Sequence, residues 1–179
     1  MSGMDSLKNR FTYLRNREAL AALVLPPLFM QSWMREHDSV AWGIRIAAVF
    51  LLSYILLQGT WYWHLKLRST QSHTPLPSWF GQLFTGFKWS NLVAFGAIGI
   101  ALWMAWRAGS LSRADLVWSA CLLGGALLEQ INYFHYQLMY DTRAAFGYLR
   151  RNRRLRKAAL GLDLARVQRT IRTPAPGSL

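Results

Sequence analysis

Acidic residues are scarce in this chain. Eight aspartates and glutamates stand against 21 lysines and arginines, and charged residues make up only 16% of the 179 positions, where a soluble domain carries about a quarter. With 53% of positions apolar or aromatic, a long disordered chain is excluded, because disorder requires low hydrophobicity. Cysteine is nearly absent as well. Cys121 has no second cysteine to pair with, which excludes an intrachain disulfide scaffold. The signatures of nucleophilic and phosphate chemistry are also missing. There is no Gly-x-Ser-x-Gly elbow, no glycine-rich phosphate loop and no His-Glu-x-x-His. Cys121 lies in an apolar stretch where a thiolate is disfavoured. No internal inverted repeat of the transporter kind is evident. Catalysis is left without a motif.

What remains is a set of hydrophobic runs. No charge occurs between Ala19 and Met34, between Ile46 and His64, or between Trp89 and Trp106; Leu116 to Leu128 is the core of a fourth run that continues through polar and aromatic residues to Tyr140. A spanning helix needs roughly 20 apolar residues. Four buried helices of a soluble protein would show polar outer faces at a period of 3.6, and the middle two runs show none. The sequence therefore predicts an all-α integral membrane protein: a four-helix transmembrane bundle with a cytoplasmic amphipathic C-terminal helix. The spans fall at about 17–34, 41–63, 89–107 and 116–139 within a membrane domain 1–143, and 144–179 form a basic tail. The first span contains Pro26-Pro27, and no small-x-small cleavage site follows it, which favours an uncleaved anchor over a signal peptide.

Orientation follows from the basic residues. Placing both termini in the cytoplasm puts 17 of the 21 inside: four in the N-terminal arm, three in the middle loop and ten after the fourth span. The expected location is a bacterial inner membrane. The nine tryptophans, among them Trp61, Trp63, Trp89, Trp103 and Trp106 near the span ends, read as two interfacial belts. Ala97/Ala101 and Ala120/Gly124 have small-x-x-x-small spacing, which packs helices together within one chain or forms a homodimer face. After a flexible Ser69–Ser78 connection, Ser78 reads as an N-cap. Trp79, Phe80, Leu83, Phe84 and Phe87 then read as a short interfacial helix.

In the tail, Arg150, Arg151, Arg153, Arg154, Arg156 and Lys157 fill six of eight positions. Such clusters are drawn to anionic lipid, although topogenic charge alone accounts for much of the run. Nucleic acid is disfavoured as a partner because no aromatic residue follows Tyr148. Farther on, Leu160, Leu164, Val167 and Ile171 form one apolar helical stripe.

One segment could carry chemistry. On a helix, Glu129, Tyr133, Tyr136 and Tyr140 make a stripe flanked by Asn132 and His135. An intramembrane carboxylate defaults to a functional hypothesis. Topology places Gln58, His64 and Asn91 at a comparable depth. The candidate polar pocket is therefore Gln58, His64, Asn91, Glu129, Asn132, His135 and Tyr136, opening to the cytoplasm. Three readings stand: a structural hydrogen-bond network, a site for a lipid headgroup or small polar molecule, and haem or metal ligation by His64 and His135. No catalytic residue and no metal or other cofactor is otherwise indicated. The expected function is that of an accessory or scaffold protein acting through helix contacts and its tail, with membrane lipids and a membrane-protein partner or second copy as partners. The alternative is the ligand-handling pocket.

Overall fold

The computed structural model describes residues 3–36, 40–139, 147 and 150–172, with the side chains of 170–172 left aside. The described chain is all-helical, without strands. Its helices are α1 (Gly3–Trp33), α2 (Trp42–Ser72), α3 (Phe80–Arg107), α4 (Arg113–Phe134) and α5 (Ala159–Arg172). The first four run up and down. At one end, here the turn end, α1 passes to α2 and α3 to α4. The other, the tail end, carries the start of α1, the α2–α3 connection and α5.

α2 is the central element. Its buried face runs through Ala48, Val49, Leu51, Leu52, Ile55 and Leu56 and continues to Tyr62 and Leu65, and α1 and α4 pack against it. α2, α3 and α4 are long and apolar enough to cross a membrane. α3 makes the point most strongly, since only Phe80, Phe84 and Asn91 of its 28 residues are buried and Val93, Ile100, Trp103 and Met104 face outward. A soluble monomer rarely leaves so long an apolar face uncovered. α1 is not among these candidate spans. Its N-terminal half is the basic arm, drawn into one continuous helix with the apolar half. Pro26 and Pro27 sit inside that helix, so two backbone donors of the ladder are missing there.

Several elements differ from the sequence expectation, each for a physical reason. The fourth helix ends at Phe134 rather than at 139. The N–H groups of His135 and Tyr136 both donate to the Ile131 carbonyl, and the Asn132 side chain accepts from Leu138 N at 2.9 Å, turning the chain back. Gln137 N then donates to Arg156 O, and Ala158 N to His135 O, which leads into α5. Tyr136 is therefore off the helix; Tyr140 and the 143/144 boundary lie outside the described residues. The expected interfacial helix at 79–87 is the first part of α3. Ser78 is not its cap; the N-cap position is Trp79, with no side-chain cap. Phe80 and Phe84 are spent on Tyr62 at ring separations of 6.3 and 6.2 Å rather than on a membrane surface. The apolar stripe of the tail is likewise spent on protein: Leu160 and Leu164 join the core and Val167 packs against it. The small residues do not hold α3 to α4. Ala97, Ala101, Ala120 and Gly124 are exposed, and a Cβ added at Gly96, Gly99, Gly124 or Gly125 would meet nothing. Trp33 and Trp118 are not belt residues either. Trp33 stacks on Phe29, and Trp118 meets both rings edge-on at the turn end.

Candidate functional site

The polar residues expected to share one pocket divide into four groups. Gln58 and Asn91 meet, and Gln130 joins them. Gln58 Nε2 donates to Asn91 Oδ1 (2.9 Å), while Asn91 Nδ2 donates to Gln58 Oε1 (2.9 Å) and to Gln130 Oε1 (2.7 Å). All three are buried, so the triad ties α2, α3 and α4 at one register and leaves no opening for a ligand. Glu129 pairs with Asn132 one turn along α4, at 3.2 Å. His64 lies on the α1–α2 surface beside Thr12, Arg15 and Arg68. His135 and Tyr136 line a separate depression with Lys157 and Gly161. The two histidines thus do not face a common space in which a haem or metal could bridge them. Among the described residues no group of three His, Cys, Asp or Glu side chains forms a metal-binding cluster.

A polar constellation with room beside it lies at the tail end, and it centres on Glu18. One face of α1 presents Leu7, Arg10, Phe11, Leu14 and Glu18 to Tyr62, Trp63 and Lys66 of α2, the i, i+3, i+4 spacing of a single helical stripe. Asn132 and Tyr133 enter from α4, the chain leading into α5 adds Arg156 and Lys157, and α5 itself adds Leu160; together these line a cavity of about 320 Å³. Glu18 Oε1 accepts from the Trp63 indole N–H at 2.9 Å. Its Oε2 and the Tyr133 hydroxyl lie together against Gly59, and neither has a hydrogen-bond partner among the described residues. Gly59 is required there. A Cβ at that position would collide with both oxygens, so glycine is what lets α1 and α4 bring a carboxylate and a phenol onto the α2 backbone.

α5 closes one side of this cavity. Asp163 accepts from Tyr62 Oη at 2.9 Å and pairs with Lys66. Gly161 packs so closely on α4 that a Cβ would stand 2.6 Å from the Phe134 carbonyl oxygen. All six residues of the tail cluster are exposed, and of them Arg156 and Lys157 border the cavity. Arg10, Lys66, Arg156 and Lys157 thus border the cavity, Lys66 already paired with Asp163, and Glu18 is the carboxylate in its lining.

Sequence reasoning missed Glu18, Trp63, Lys66 and Asp163. The available signals were positional: Glu18 is the last charge before the first apolar run, and Asp163 is the only acid after Asp141. A second constellation was also missed. At the turn end, Arg45 is fully buried, with Nε 2.7 Å from Asp115 Oδ1 and Nη1 2.8 Å from Glu36 Oε2, its guanidinium over the Trp33 ring. Asp115 also accepts from Ala41 N and, as half of a capping box, from Ser112 N and Oγ. That cluster holds α1, α2 and α4 together.

No family model, curated protein or solved structure matches the chain.

Proposed function

We propose that this chain is a multi-pass protein of a bacterial inner membrane, with both termini cytoplasmic, that holds the phosphate-bearing headgroup of a membrane amphiphile in its tail-end cavity. The observation that carries this reading is the cavity itself: about 320 Å³, bordered by Arg10, Lys66, Arg156 and Lys157, with apolar walls from Leu7, Phe11, Leu14 and Leu160. That volume is at the lower end of the range for small-molecule sites, about 300–1,000 Å³. Clustered Arg and Lys favour phosphate through charge-assisted hydrogen bonds. The apolar half of α1 acts as the fourth span in this reading, because Leu20, Leu23 and Leu28 face outward as the lipid-facing residues of α3 do. The positive-inside rule then puts the cavity at the cytoplasmic headgroup level. The sequence points to Glu129 as the centre of such a site; the geometry supports Glu18.

The test is native mass spectrometry of the chain released from membranes in a mild detergent. The expected result is a retained phospholipid that is lost from a Lys66→Gln/Lys157→Gln variant still folded by circular dichroism. Lipid-free protein, or equal retention by the variant, would refute the site. A second reading, an accessory protein that docks on other membrane helices, draws on the outward small residues Gly96, Ala97, Gly99 and Gly124. Recovery of the chain alone and monomeric in mild detergent would count against it.

A further inference from the structure

Glu18 has the wrong sign for a plain anion site, and this mismatch narrows the ligand. This narrowing presupposes that the cavity holds a phosphate headgroup. A carboxylate in the same space repels a phosphate unless the ligand also brings a hydrogen-bond donor. Glu18 Oε2 and the Tyr133 hydroxyl, both buried and without a hydrogen-bond partner among the described residues, offer acceptors for such a donor. Unsatisfied buried polar groups are costly, so they favour a ligand that completes them.

The order of the groups along the bundle says where the donor must sit. Arg10 lies two helical turns nearer the tail end than Glu18 on α1, about 12 Å along the axis. Lys66 lies one turn nearer that end than Trp63, the residue bonded to Glu18, and Arg156 and Lys157 border the same end. The cations are therefore at the cytoplasmic side and the carboxylate on the side of the membrane core. An ammonium headgroup such as ethanolamine projects the opposite way, beyond its phosphate into water. A hydroxyl on the glycerol backbone lies on the chain side of the phosphate and meets this order. We infer that the cavity takes a glycerophosphate with a free hydroxyl, of the monoacylglycerol phosphate type, its phosphate at the cationic end and its hydroxyl on Glu18.

The test uses the full-length chain in detergent and follows its thermal unfolding midpoint, which rises with a ligand that binds the folded state. The probes are monolauroyl glycerol phosphate, dodecyl phosphate with the same charge and a similar chain but no hydroxyl, and glycerol 3-phosphate with no chain. The expected result is about tenfold tighter binding of the monoacyl lipid than of dodecyl phosphate, the worth of one charge-assisted hydrogen bond. Glu18→Gln should narrow that ratio. Saturation by glycerol 3-phosphate at matching concentrations identifies a soluble glycerophosphate as the ligand; a requirement for the chain identifies the lipid. Equal affinity for the monoacyl lipid and dodecyl phosphate overturns the hydroxyl inference while the headgroup site stands. No shift with any of the three overturns both. Because the comparison is made on the unaltered chain, it survives a Glu18 variant that fails to fold.

Discussion

The two ends of the bundle use the same kinds of side chain for opposite purposes. At the turn end, Arg45 is enclosed by Asp115, Glu36 and Trp33, and the Asp115 carboxylate accepts from four donors in three segments. At the tail end, Glu18 has one oxygen engaged by Trp63 while the other has no hydrogen-bond partner among the described residues, and space remains beside it. Arg45 keeps Nη2 without a hydrogen bond, yet two carboxylates and the Trp33 ring wall it in and it fixes geometry. A buried charge with capacity left over, next to a cavity, is where a ligand gains most. The difference arises from packing: three tryptophans and Phe29 fill the turn end, whereas at the tail end α5 closes one side of a cavity that stays open beside Glu18.

The largest expected effect tests the sealed character of the turn end. Asp115→Ala leaves Arg45 buried with Glu36 as its remaining carboxylate, removes half of the α4 capping box, and should lower stability by about 3–5 kcal/mol. Denaturant titration in detergent reads this; a loss below 1 kcal/mol would show that the cluster does not lock that end. Asn91→Leu should cost about 1–3 kcal/mol by leaving Gln58 and Gln130 short of partners. Wild-type stability in the variant would mean that the amide triad adds nothing to the register of α3. Gly161→Ala drives a methyl toward the Phe134 carbonyl and should loosen α5, at a cost of about 1–3 kcal/mol. Faster tryptic cleavage after Arg166 and Arg169 would accompany it, and unchanged cleavage would contradict the docking of α5. Gly96→Ala, where a Cβ meets nothing, should stay within about 0.5 kcal/mol. A larger loss in membranes, absent in detergent monomers, would point to a neighbouring helix on that face.

The long apolar helices were legible because composition and length report them directly: the runs around Ile55, Ile98 and Leu122 have no other use for so many uncharged residues. The tail helix was legible from Leu160, Leu164 and Val167, but periodicity does not say what covers an apolar face, and here it is the bundle. The buried Gln58–Asn91 contact agrees with their matched depth on adjacent helices. Glu18 and Asp163 escaped notice because each looks like an ordinary charge beside a basic segment; only the antiparallel pairing of α1 with α2 and the return of α5 bring them to Trp63 and Lys66. The Arg45 cluster was hidden for a similar reason, its partners being 70 residues away along the chain for Asp115 and across the α1–α2 turn for Glu36. Expecting α4 to continue past Phe134 also placed Tyr136 on a helix that Asn132 in fact ends.

The most direct test of an open tail end opposite a sealed turn end is cysteine accessibility in membrane vesicles. With the exposed Cys121 replaced by serine, a single cysteine is placed at Asn132, in the cavity wall, or at the fully buried Ser119. Inside-out vesicles are then treated with a membrane-impermeant thiosulfonate. The account predicts that Asn132→Cys reacts from the cytoplasmic face and is protected by monolauroyl glycerol phosphate, whereas Ser119→Cys stays unlabelled from either face. Labelling of Ser119→Cys at a similar rate, or of Asn132→Cys only from the periplasmic face, would contradict it.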